Sequence, residues 1–226
     1  MESESVHARS DRTNSVLVAL AASRRRIALA ALVDEPGPVS VGVLAKRVAD
    51  GRDAASTDVT DDRREHVALV HRELPKLDAT GLVEWDRDAD TVAAADHPAL
   101  DSPQIRRVLA APEAEWDDVL ECLAHDRRRT ALSIVVDHGG AIGRRNLARR
   151  TLARERDAPT SSLSTNDVDE VLASLYHVHL PKLRDAGLVV DDDLETVRYA
   201  DHPDVDEASL TLDASQGAAP MALANQ

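Results

Sequence analysis

The chain repeats itself. Val16–Val33 (VLVALAASRRRIALAALV) lies over Val119–Val136 (VLECLAHDRRRTALSIVV) at an offset of 103 residues, with ten of 18 positions identical. His71–Val83 lies over His177–Val189 at an offset of 106, with eight of 13 identical, and Ala95-Asp-His-Pro98 returns as Ala200-Asp-His-Pro203. A repeat of this kind argues against one large core, because each unit must bury its own apolar face. It defines domain 1 at 14–98, a linker at 99–112 and domain 2 at 113–204, each long enough to fold alone. Residues 1–13 and 205–226 are small, polar and without period, which predicts a disordered N-terminus and tail. Within the linker, Ile105, Val108 and Leu109 stand at helical spacing and predict a short docked helix.

Each copy reads as helices followed by a hairpin. Ser23 and Asp126 precede the triplets Arg24-Arg25-Arg26 and Arg127-Arg128-Arg129 and predict N-caps there, with an earlier helix over 15–21 or 114–124. Val41, Leu44, Ala45 and Val48 fall on one face of a short helix opened by Ser40, whose counterpart spans 143–156. Polar loops follow, 50–60 in the first copy, and then a longer helix. Its expected apolar stripe is Val67, Val70, Leu74 and Leu77, or Val168, Leu172, Leu175, Leu180 and Leu183, ended by Gly81 or Gly187. Pro75 and Pro181 inside it predict a kink or a restart, since proline removes an N–H and clashes with the preceding turn. Two short β signals close each copy, 82–85 with 91–95 and 188–190 with 196–200. The fold class expected is mainly α with small β-hairpins, as two tandem winged helix-turn-helix domains.

The stretches Leu20–Leu32, Val39–Val48 and His71–Trp85 resemble the helix-turn-helix and wing of ArsR-like regulators. More narrowly, His-x-x-Leu-Pro-Lys-Leu and Asp-His-Pro resemble a haloarchaeal family of winged-helix domains of unknown function, often in tandem. The resemblance covers both copies and implies a fold more than an activity.

Charge bears on partners. There are 41 Asp+Glu against 27 Lys+Arg, a net charge of −14, and only three of the cations are lysine (Lys46, Lys76, Lys182). Such a bias resembles proteins of extreme halophiles, whose dense carboxylates hold water in molar salt. There the Debye length is about 3 Å, so the overall charge neither forbids nor favours DNA. Aromatics are 2% of residues, which excludes broad stacking platforms for single strands. The single cysteine, Cys122, excludes a disulfide framework, and its apolar helix face predicts a core position. No apolar run approaches a membrane span, and Met1-Glu-Ser-Glu-Ser lacks a signal peptide's basic start, so no membrane partner and a cytoplasmic location are expected.

Candidate nucleic-acid residues come in two groups. Arg63, Arg64, His66 and Arg72 belong to the first copy's recognition position, with Arg87 at its hairpin tip. Arg144, Arg145, Arg149 and Arg150 belong to the second copy's most basic stretch. Arginine pairs with guanine edges and with phosphate, but equally with carboxylate. The triplets divide evenly between holding phosphates and covering acids. His71 and His177 are read as packed or hydrogen-bonded residues, Asp96-His97 and Asp201-His202 as turn pairs; no spacing matches a zinc site. No metal, cofactor or catalytic constellation is expected. The reading is a regulator binding double-stranded DNA as an intramolecular pseudo-dimer; its rival is a winged-helix module that binds a protein partner or a second copy.

Overall fold

The computed structural model describes residues 2–52, 59–110, 116–191 and 195–202. The tail at 205–226, residues 192–194 of the second hairpin tip and residues 53–58 of the first polar loop lie outside the described residues. The chain divides into two compact units, with the break between Trp116 and Asp117. Among the described residues no helix is long and apolar enough to cross a membrane.

In the first unit, α1 (Glu2–Leu20) runs through residues 2–13, where the lack of period predicts no helix. After it come α2 (Ser23–Val33), β1 (Val39–Ser40), α3 (Val41–Arg52) and α4 (Val59–Ala68). A π-helical turn at Leu69–Glu73 leads into α5 (Leu74–Ala79), and the hairpin β2 (Val83–Asp86) and β3 (Thr91–Ala94) follows. The two-residue β1, too short to be seen in the sequence, adds to β3, giving an antiparallel sheet of order β1-β3-β2 with Val39 and Trp85 both opposite Val92. The linker helix α6 (Pro103–Ala110) buries Ile105, Val108 and Leu109 and packs on α2, so it belongs to this unit.

The second unit repeats the plan with α7 (Trp116–Leu123), α8 (Asp126–His138), β4 (Ile142–Gly143), α9 (Arg144–Glu155) and α10 (Thr165–Ser174). Another π turn, Leu175–His179, leads into α11 (Leu180–Asp185), β5 (Val189–Asp191) and β6 (Thr196–Tyr199). The sheet order β4-β6-β5 matches that of the first. Gly81 and Gly187, at φ 72° and 69°, end the long helices as their positions predict, in the left-handed region that a side chain would strain.

The π turns resolve the proline problem. The N–H of Leu74 reaches back five residues to Leu69, and that of Leu180 to Leu175. The widened turn lets Pro75 and Pro181 enter as the second residue of a new α segment, where a missing N–H costs nothing. It also rotates the preceding half of the helix. Leu69, Leu74 and Leu77 are fully buried, whereas Val67 of the expected stripe is 50% exposed. In the second unit Val168, Val171, Leu175, Leu180 and Leu183 are buried and Leu172 only half so. The core step of five residues, 69 to 74 and 175 to 180, is the length of the π turn itself. The predicted face of α3 is correct: Val41, Leu44, Ala45 and Val48 are all buried.

Candidate nucleic-acid interface

The arginine triplets are engaged inside each unit. A helix ends with carbonyls that lack partners, and α1 brings its last ones to the start of α2 across only Ala21 and Ala22. Arg25 donates from Nε to the Ala19 carbonyl and from Nη2 to that of Val18 at 3.0 Å, while Arg26 Nη1 donates to that of Leu20 at 2.8 Å. In the second unit Arg128 serves the carbonyls of Cys122 and Glu121, and Arg129 that of Leu123. Positive groups at a helix C-terminus complement its dipole. The N-caps accordingly sit one residue earlier than Ser23 and Asp126, at Ala22 and His125, and His125 Nδ1 accepts from the Arg127 N–H at 3.2 Å. The first arginine of each triplet holds an acid: Arg24 Nε lies 2.7 Å from Glu65, and Arg127 grips both oxygens of Glu155 at 2.6 and 2.7 Å. Covering acids and capping carbonyls is what the triplets do.

Beneath the triplets each π turn supplies one buried polar group, and the two differ. Glu73 accepts from Arg25 Nη1 and from Arg72 Nε, both at 3.0 Å. Burial raises its pKa, but the hydrogen bonds and charges of Arg72 and Arg25 more than offset this, so the carboxyl lies below its ordinary value. Its equivalent, 106 residues on, is His179, which is 5% exposed and stacks at a tilt on His125 with ring centroids 4.7 Å apart. Burial first, then the positive charges of His125, Arg127 and Arg128, push its imidazole down to about 4. Among the described residues no three His, Cys, Asp or Glu side chains gather as a metal would require. Cys122 is buried, and burial pushes its thiol up to about 11, as suits a core position.

Rotated outward by the π turn, the first half of the long helix carries most of the first group of candidate residues. Arg63, Arg64, Val67, Ala68, His71 and Arg72 line a surface groove of about 550 Å³, with no carboxylate among the described residues of its lining. Arg63, Arg64 and Arg72 are exposed and His66 is half-buried. Arg72 gives its Nε to Glu73 yet leaves 62% of its side chain in solvent. His71 and His177, read as packed or hydrogen-bonded, are both exposed because the same rotation turns them out, and His177 meets the Tyr176 ring edge-on at 4.9 Å. In the second unit the residues equivalent to Arg63, Arg64 and Arg72 are Asp169, Glu170 and Val178. A groove of about 640 Å³ lies there too, lined by Arg144, Arg145, Asp169, Leu172, Tyr176 and Glu195 among others.

Arg87 extends from the first hairpin tip, 63% exposed, with its guanidinium 4.6 Å from the Trp85 ring centre and 3.8 Å from Asp78. The tip itself is fixed by Asp86, whose Oδ1 accepts from the N–H groups of Asp88 and Ala89. The basic helix α9 is largely neutralised within its own unit, by acids of α8, α10 and β5. Arg144, only 12% exposed, pairs with Asp191 at 2.7 Å and lies over the Tyr176 ring; Arg145 pairs with Asp169, Arg154 with Asp137 and Arg156 with Asp167. Arg144 is thus mostly buried and paired within its own unit, and Arg145 is paired as well. Arg149 and Arg150 remain exposed. His97 acts as the turn residue it resembles, its Nδ1 accepting from the Ala99 N–H at 3.1 Å.

The residues that sequence reading passes over are Glu65, Glu73, His125 and His179. Their partners on other elements lie 41 to 54 positions away, so only the five-residue gap in the leucine pattern hinted that residues 73 and 179 turn inward. A family model described as a domain of unknown function, DUF7344, matches residues 17–93 and again 120–198. No curated protein and no solved structure matches the chain.

Proposed function

We propose that this chain, which belongs to the DUF7344 family through both of its halves, is a transcriptional regulator that binds double-stranded DNA through its first unit. The order helix, strand, helix, long helix, hairpin, with the early strand added to the last one, supports reading each unit as a winged helix. In that fold the long helix enters the major groove. The observation that carries the proposal is the groove on the long helix: among the described residues its lining holds three arginines and a histidine, on a chain whose net charge is −14. Arg63 and Arg64 near the start of the helix would meet base edges, Arg72 and Arg87 phosphates. The second unit, with Asp169 and Glu170 in those positions, would not read sequence; Arg149 and Arg150 would add phosphate contacts. A salt-rich cytoplasm, where long-range repulsion is screened, is the setting that its acidity suits.

The test is fluorescence anisotropy of the purified chain on pooled genomic duplex fragments across a KCl titration. Arg63→Ala with Arg64→Ala should weaken selective binding by about tenfold or more. Arg149→Ala with Arg150→Ala should lower the slope of log K against log salt by about 2 while keeping selectivity. Selective binding that ignores the first pair refutes the assignment. No selective binding at any salt would favour the second reading, a protein-interaction module, which the exposed Tyr176 in the groove of the second unit supports.

A further inference from the structure

We infer that Glu73 is a positioning residue of the first unit's groove: the buried carboxylate holds Arg72 by its Nε–H and leaves the Nη groups ordered in advance to meet a duplex phosphate. This rests on the DNA reading above and adds to it the residue that fixes one of its contacts. Arg72 and Glu73 are neighbours in the π turn, one facing out and one in. The carboxylate divides its oxygens between two arginines: Oε2 accepts from Arg25 Nη1 and Oε1 from Arg72 Nε, both at 3.0 Å. Arg25 is in turn tied to the carbonyls of Ala19 and Val18 at the end of α1. A continuous run of hydrogen bonds therefore leads from the buried end of one helix to a side chain that is 62% exposed. Glu73 itself is buried, so it fixes the arginine without presenting a carboxylate to the phosphate. Among the described residues nothing else holds Arg72. Its planar fork gives one donor to Glu73 and keeps those on Nη1 and Nη2. A long side chain already ordered loses less freedom on docking, which raises affinity by about three- to tenfold.

The second unit separates this role from a purely structural one. Arg128 caps the carbonyls of Cys122 and Glu121 as Arg25 caps those of Ala19 and Val18, and both arginines are 7% exposed. Were Glu73 present only to neutralise a buried arginine, Arg128 would need an acid as well. Among the described residues it has no carboxylate partner, and His179 stands where Glu73 would be. The clasp is therefore built without the acid. What the second unit also lacks is the outward arginine, Val178 standing in the place of Arg72. The carboxylate and the arginine it holds are present together in one copy and absent together from the other.

The experiment is a double-mutant cycle between Glu73→Gln and Arg72→Ala, read by fluorescence anisotropy of the full chain on the duplex it selects from pooled genomic fragments. Far-UV circular dichroism in the same buffer shows which variants are folded. An amide has one accepting oxygen where the carboxylate has two, and water can replace the bond at exposed Arg72 but not at buried Arg25, so Arg72 is the side chain released. Glu73→Gln should weaken binding by about three- to tenfold, and Arg72→Ala should then weaken it less in that background than in wild type. The Arg72 Nε–H proton, followed by NMR without DNA, should exchange with water faster in Glu73→Gln. Arg72→Lys decides the matter even if Glu73→Gln fails to fold, because it is an exposed change that keeps the charge and removes the Nε–H. It should weaken binding by about three- to tenfold, whereas Arg149→Lys, at an exposed arginine with no carboxylate partner among the described residues, should change it by less than about twofold. Losses that simply add in the cycle, or an Arg72→Lys chain that binds as wild type does, overturn the inference and leave the DNA reading standing. A wild-type chain that selects no duplex overturns both.

Discussion

Acidification should unfold the second unit through His179. The folded state keeps this imidazole neutral down to about 4, whereas the unfolded chain takes up the proton near 6.5. Above the unfolded value both states are neutral and nothing is lost. Between the two values only the unfolded chain is protonated, so stability falls with pH by up to 1.36 kcal/mol per unit, about 3 kcal/mol in all, and the loss levels off once the folded pKa is passed. Going from about pH 7.5 to about pH 5, still above the range in which carboxylates titrate, should cost about 2 kcal/mol. His179→Leu should remove that dependence and leave only the smaller share of His125, whose pKa is also lowered by burial and by the triplet's charges. The assay is urea unfolding of the full chain followed by amide cross-peaks, with Leu132 and Leu183 reporting the second unit and Leu29 and Leu77 the first. Wild type and His179→Leu losing equal stability on acidification would refute the reasoning, as would a His179 ring that titrates near its ordinary value.

At the equivalent position of the first unit, Glu73→Gln should destabilise by about 3 kcal/mol, because it leaves Arg25 buried beside a neutral amide. The carboxylate's contribution is complete above the ordinary glutamate range and fades as pH falls through its depressed folded value, so urea midpoints of wild type and variant should converge in acid. Pro75→Ala should destabilise by about 0.5–1 kcal/mol, the entropy the proline removes from the unfolded chain. A gain of about 3 kcal/mol in thermal or urea unfolding would instead mean that the proline strains the helix and that the π turn does not accommodate it.

Much of this fold was legible because its signals are local. The repeat, the face of α3 from Val41 to Val48, the linker helix from Ile105 to Leu109 and the glycines that end the long helices all announce themselves within a few residues. What stayed hidden depends on distance or on very short elements. A two-residue β1 has no period to read, and its place in the sheet is set by Thr91 and Val92, some fifty positions later. The arginine triplets could not be assigned from spacing because, apart from Asp126 beside Arg129, their partners are backbone carbonyls of the preceding helix and acids 28 to 49 residues on. The π turn displaced the apolar stripe by one position. That put Val67 in solvent and Leu69 in the core, and it turned the candidate arginines outward for a reason that helical periodicity alone does not contain.

Two copies of one fold also permit an internal comparison of what each position is for. The clasp on the carbonyls of the preceding helix is built twice from the same residue types, Arg25 with Arg26 and Arg128 with Arg129, so it serves folding. The exposed half of the long helix is where the copies part: Arg63 against Asp169, Arg64 against Glu170, Val70 against Tyr176, Arg72 against Val178. These outward positions touch little of either core, so folding places few demands on them and their chemistry is set by what they meet. The first face is basic and the second is centred on tyrosine beside Arg145 and Asp169. A duplicated reader would keep arginine in both places; this chain keeps the frame twice and changes the chemistry of the face it presents.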